Sequence, residues 1–171
     1  MRKIILFIAS SLDGYIARES GEIDWLFTDQ DYGYTEFYDQ VDTLILGNKT
    51  YQQVLSFEEY PYMDKEVFVF SKTESGETAN NAKFVNSNWL NFVNILCQSH
   101  GNNIWLVGGA QLIHFFLQHH LIDELILSIH PIILGTGIPL IVNDSSLETQ
   151  LDLKNIKTFD TGLVQIFYNF S

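Results

Sequence analysis

Cysteine occurs once in this sequence, at Cys97, so no intramolecular disulfide can form and no cysteine-based zinc site can be assembled from the chain. Basic residues are scarce: nine stand against 21 acidic ones, for a formal charge of −12. Phosphate contacts supply most of the affinity of proteins for nucleic acid, so nucleic acid is excluded as an expected partner. A membrane-spanning run is also missing. The apolar stretch Ile4–Ala9 falls far short of the roughly 20 residues that cross a bilayer, and no small-residue cleavage site follows it. It reads as a strand, and the protein is expected to be cytoplasmic and free of membrane. Repeats, low-complexity tracts and linker-like shifts in composition are absent, so 1–171 reads as one domain. The histidines lack metal-ligand spacing and there is no Gly-x-Ser-x-Gly elbow, so neither a metal site nor nucleophilic hydrolysis is expected.

What remains is an apolar pattern with regular punctuation. Strands are predicted at Ile4–Ala9, Thr43–Leu46, Val67–Phe70, Lys83–Val85, Ile104–Val107 and Leu125–His130. Helices are predicted at Tyr34–Gln40, at Asn48–Leu55, from Ser87 or Asn88 to Gly101, and from Ala110 to about His119. Thr73–Ala82 is polar enough to be an exposed loop, and Cys97 adjoins an apolar helix face as a packing residue. His114 falls on the polar stripe of its helix and is expected to face water. Asp152–Phe159 and Leu163–Phe170 form a closing antiparallel hairpin. The order strand, helix, strand, helix, strand implies a mostly parallel sheet covered by helices on both faces, with an antiparallel edge. Ligands of such sheets collect at the carboxyl ends of the strands.

Two strand ends share one construction, Leu46-Gly47-Asn48-Lys49-Thr50 and Val107-Gly108-Gly109-Ala110-Gln111-Leu112. In each, glycine ends a buried strand and a helix begins at once. Glycine lets a ligand approach the backbone, and the unpaired N–H groups of a first helical turn hold phosphate oxygens. Two such starts suit the two phosphates of a dinucleotide; the alternative is that these glycines only permit tight turns or close packing. Lys49 lies in the first start and Lys72, beside Ser71, at the end of a neighbouring strand. For proton transfer the candidates are Asp24, whose neighbour Trp25 offers an apolar setting that raises a carboxyl pKa, and Asp13, which is also placed to cap a turn before Gly14. Glu36 is a third acid.

Taken together, Ser11-Leu12-Asp13-Gly14-Tyr15-Ile16-Ala17, Leu46-Gly47-Asn48-Lys49-Thr50-Tyr51, Val107-Gly108-Gly109-Ala110 and Leu121-Ile122-Asp123-Glu124-Leu125 through Leu134-Gly135-Thr136-Gly137 resemble the dihydrofolate-reductase-like family. The resemblance is to the branch containing the C-terminal reductase domain of the bifunctional riboflavin-biosynthesis deaminase/reductase. It implies a three-layer α/β/α fold with a mixed, mostly parallel sheet of about eight strands. It also implies a homodimer and bound NADPH, with NADH as the alternative cofactor. By matching position, Ala9 would lie near the nicotinamide and Gly47, Asn48, Lys49 and Thr50 along the pyrophosphate and adenosine. Ser71 and Lys72 would approach the 2′-phosphate, and Gly108, Gly109, Ala110, Gln111 and Leu112 would cradle the pyrophosphate. Asn48 stands where family members often carry Arg, and Val107 where riboflavin-pathway reductases carry Glu. The implied activity is hydride transfer from NADPH to a small pterin-like, pyrimidine-like or carbonyl substrate. The alternatives are a catalytically idle nucleotide-binding module and a structural dimer of the same fold.

Overall fold

A computed structural model describes residues 1–78 and 80–171; Ala79, within the segment expected as an exposed loop, lies outside the described residues. The chain runs β1 (Ile4–Ser11), β2 (Tyr15–Ala17), α1 (Tyr34–Tyr38), β3 (Val41–Gly47), α2 (Asn48–Leu55), β4 (Glu66–Phe70), β5 (Gly76–Glu77), β6 (Ala82–Val85), α3 (Trp89–Gln98), β7 (Asn103–Gly108), α4 (Ala110–Gln118), β8 (Glu124–His130), β9 (Ile138–Pro139), β10 (Leu151–Thr158) and β11 (Val164–Phe170). Nine strands form one sheet in the order β10-β11-β8-β1-β7-β3-β4-β6-β5, and β2 with β9 forms a second, two-stranded sheet. The six strands from β8 to β6 are parallel, β11 and β5 run against them towards the margins, and β10, antiparallel to β11, closes one edge.

A parallel core is apolar at nearly every position because both faces are covered, and the period of two decides which side chain meets which layer. Ile4 and Leu6 of β1 pack with Val93 of α3 and with Ile113 and Phe116 of α4. Ile5, between them, packs with Phe37 of α1 and with Tyr51 and Val54 of α2. The result is three layers. Short helices such as the five-residue α1 are held by this burial, since helices below about 12–15 residues are marginal alone. Asn88 precedes α3 as expected, but it is left-handed (φ 51°) and makes no side-chain cap.

The amino-terminal end of the sheet is closed by Arg2, whose buried guanidinium meets Asp42, Thr43 and the Asn102 carbonyl. The carboxyl end is flanked by the β2–β9 pair. A close approach makes Gly137 necessary there, because a Cβ would lie 2.3 Å from the Ala17 carbonyl oxygen.

Candidate cofactor and active site

Strands β1 and β7 are paired only as far as Leu6 and Leu106, while β1 continues alongside β8 to Ser11. Their carboxyl ends therefore part. The Phe7 carbonyl receives the indole N–H of Trp105 at 3.0 Å. On its other side β7 pairs with β3, and a register shift that skips Val107 sets Gly108 opposite Leu46. Such a bulge re-aims the backbone at a strand end.

Both glycine-led helix starts open at this point. From β3 the chain enters α2 on one face of the sheet, and from β7 it enters α4 on the other. Adjacent parallel strands whose helices leave to opposite faces create the crevice in which such sheets bind ligands. The two starts are neighbours: a Cβ on Gly47 would lie 3.6 Å from the Gly109 nitrogen, and one on Gly109 would lie 3.2 Å from Thr50 Oγ1. Gly47 and Gly109 occupy the N-cap positions, neither helix has a side-chain cap, and neither first turn contains an acid. The N–H groups of Asn48, Lys49 and Thr50 and those of Ala110, Gln111 and Leu112 thus begin two helices whose positive ends have no local anion. The Gly108–Gly109 peptide bond is cis.

Charge is distributed to match. Five of the nine basic residues, Arg2, Lys3, Arg18, Lys65 and Lys83, pair with acids. Among the described residues, Lys49 and Lys72 make no ion pair. Ser71 is buried and its hydroxyl accepts the N–H groups of Thr73 and Glu74, shaping the turn that presents exposed Lys72. Lys72 borders an open hollow of about 660 Å³ that runs past Asn86 and Trp89 at the start of α3 to Phe115 of α4.

Ala9 is half-buried beside Ser128, on the same face of β1 as Phe7. The wall on that side is aromatic. Phe7 stacks on Phe37 at 4.3 Å, and Tyr34 meets both Phe7 and Trp105 edge-on. Burial, with Asp64 and Asp31 nearby, pushes the Tyr34 phenol up to about 12, so it stays protonated. Val107 packs on this side as well.

Of the two acids, Asp24 departs from expectation and Asp13 follows its turn reading. Asp24 does not share Trp25's apolar setting: Trp25 is buried edge-on against His130, while Asp24 turns outward into a two-pronged pair with Arg18 at 2.6 and 3.0 Å. The hydrogen bonds and charge of Arg18 hold its carboxyl below the usual range, which corrects the expected upward shift. Asp13 takes the turn role. It accepts the Ser11 hydroxyl at 2.7 Å and the N–H groups of Leu134 and Gly135 at 3.0 and 2.7 Å, and these bonds lower its pKa. Glu36 is exposed on α1. His114, expected in water, is bonded at 2.9 Å to Asp144.

Periodicity left out the role of His130. Its Nε2 accepts the Phe27 N–H at 3.2 Å, which places the ring proton on Nδ1, and burial depresses its pKa. Trp25 and Phe27 pack on this imidazole and pin the loop before α1 to the end of β8. No group of three or more metal-ligating side chains and no helix long and apolar enough to cross a membrane occurs among the described residues.

The family model of the RibD C-terminal domain matches residues 2–165. The uncharacterised Bacillus subtilis protein YyaP is 41% identical, with 99% of this chain and 96% of that protein covered. A solved structure of a putative riboflavin biosynthesis protein from Shewanella sp. PV-4 is 31% identical with a TM-score of 0.88, covering 100% of this chain and 99% of that one. Enterococcus faecalis dihydrofolate reductase, solved with NADP(H), shares the fold at a TM-score of 0.71 and 12% identity, over 99% of this chain and 96% of that one.

Proposed function

The chain belongs to the RibD C-terminal domain family and has a dihydrofolate-reductase-like fold, and from that premise we propose that it is a reductase using NADPH. The observation that carries this proposal is the convergence of two uncapped, acid-free helix starts on one crevice. The residues present suit a dinucleotide. The N–H groups from Gly47 to Thr50 and from Gly108 to Leu112 hold the pyrophosphate, and the small side chain of Ala9 leaves room for the nicotinamide ring. Lys72 neutralises the 2′-phosphate, and the hollow that Lys72, Trp89 and Phe115 line receives the adenosine end. When bound, the nicotinamide supplies a hydride.

The acceptor lies against the aromatic wall of Phe7, Tyr34 and Trp105. That wall favours a flat heterocycle of pterin or pyrimidine type over a charged one, and Val107 adds no carboxylate. Neither Asp13 nor Asp24 is poised to donate a proton, because both are held ionised by their partners. Water entering the open crevice supplies it, and the Tyr34 phenol, protonated at neutral pH, orients the acceptor by donating a hydrogen bond.

Steady NADPH oxidation with at least one member of a panel of pterins, pyrimidines and quinoid acceptors is the expected result. Absence of detectable NADPH or NADH binding at millimolar concentration would remove the proposal. The lack of a poised carboxylic acid supports a second role, that of an idle nucleotide-binding module; tight cofactor binding without turnover across the panel selects it.

A further inference from the structure

Charge on the two sides of the crevice is sorted by sign. The aromatic wall of Phe7, Tyr34 and Trp105 has carboxylates within reach, Asp31 just before α1 and Asp64 in the loop after α2. Each accepts a hydroxyl group, Asp31 that of Thr35 at 2.6 Å and Asp64 that of Tyr38 at 2.7 Å. These bonds lower both carboxyl pKa values, so the two groups stay ionised at neutral pH. Their field extends to the wall, since the charges of Asp64 and Asp31 add to burial in raising the Tyr34 phenol. The helix starts sort in the same way. Those of α2 and α4 contain no acid, whereas the Thr35 N–H at the start of α1 is already bonded to Asp31 at 3.1 Å. A phosphate on the acceptor would meet a carboxylate where it needs a donor.

The nine basic residues give this side no counter-charge. Lys49 and Lys72 serve the cofactor. Arg2, Lys3 and Lys83 pair with Asp42, Glu124 and Glu66 at the amino-terminal end of the sheet, away from the crevice. Arg18 is spent on Asp24. Lys65 lies over the Tyr38 ring at 4.1 Å, but its ammonium is taken up by the Tyr38 and Val41 carbonyls and by Asp64, and its side chain is only 11% exposed. Lys154 and Lys157 are on the marginal strand β10. The register Ala9, Ser128, Gln165, Lys157 sets three strand spacings between Lys157 and β1, roughly 14 Å. Physiological salt screens over about 8 Å. Among the described residues, no cation is therefore left on the acceptor side to hold a phosphate.

We propose that the hydride acceptor is an uncharged heterocycle without a phosphate, admitted in its unphosphorylated form beside a cofactor that is held by its phosphates. The proposal rests on the reductase reading and narrows its substrate class. The test is anaerobic NADPH oxidation by the full chain with matched pairs: riboflavin against riboflavin 5′-phosphate, and a ribosylated pterin and a pyrimidine nucleoside each against its 5′-monophosphate. At low ionic strength kcat/KM should favour the unphosphorylated member by about fivefold or more, and added salt should shrink that ratio as it screens Asp31 and Asp64. D31N/D64N keeps both hydrogen-bond acceptors, removes both charges and should shrink the ratio without salt. Asp64→Asn alone leaves the start of α1 untouched and should show part of the same effect with an unchanged thermal melt. A phosphate ester used as well as its parent, a ratio indifferent to salt, or a ratio unchanged in both variants would overturn the proposal. Reduction of no member of any pair refutes the reductase reading instead.

Discussion

Replacing Gly47 by alanine separates the ligand role of the crevice from its architecture. Gly47 has φ −75° and ψ 157°, which alanine adopts without strain. The new Cβ would meet the Gly109 nitrogen at 3.6 Å, the Gly108 carbonyl oxygen at 3.7 Å and Leu112 Cβ at 3.9 Å, all ordinary van der Waals distances. Folding tolerates the change, and the narrower freedom of the unfolded chain adds about 0.4–1 kcal/mol. In a chain of this size that is about 1–4 °C in Tm. A phosphate is not so accommodated, because the methyl stands beside the Gly109 N–H at the uncapped start of α4. Losing one hydrogen bond to a charged group removes about 1.5–3 kcal/mol, a weakening of about 10- to 150-fold. Tryptophan-fluorescence titration with NADPH and a thermal melt of the same protein decide the matter. An unchanged Kd with native melting would refute the phosphate cradle, and a melt lowered by several degrees would show that Gly47 serves packing.

Three further outcomes are expected. Lys72→Glu should weaken NADPH more than NADH, since only the former carries the phosphate next to this cation; equal weakening in parallel titrations contradicts that placement. Asp24→Asn should lower kcat by less than tenfold, whereas a general acid is worth about 10²–10⁴-fold; a larger loss restores Asp24 as the proton donor. His130 is buried neutral with a depressed pKa, so below the ordinary histidine value of about 6.5 the unfolded chain binds a proton that the folded site resists. Stability is then constant above that pH and falls as pH drops below it. His130→Gln should flatten this limb in urea midpoints, and identical slopes for variant and wild type would show that His130 is not its source.

The features legible in the sequence are those written in local pattern. Ile4–Ala9 and Thr43–Leu46 are apolar at nearly every position because the layered core covers both faces, and Gly47 and Gly108-Gly109 mark where strands become helices. Features that depend on distant partners were not legible. Tyr15–Ala17 becomes a strand only because Ile138 and Pro139 lie beside it, and Gly76–Glu77, which makes the ninth strand, has no apolar signal. Neither the parting of β1 from β7 nor the bulges at Val107 and Lys154 has a residue type of its own. Asp24 shows the limit for chemistry. Its neighbour in sequence is Trp25, but in an irregular loop adjacent side chains go to opposite sides, and its electrostatic state is set by Arg18, six residues earlier.

Hydrogen exchange measured on the full chain with and without NADPH tests the cofactor crevice most directly. Peptides covering Gly47–Thr50 and Gly108–Leu112 should gain protection together and at the same NADPH concentration. Protection of only one, or saturable NADPH binding that protects neither, would contradict a phosphate site shared by the two helix starts.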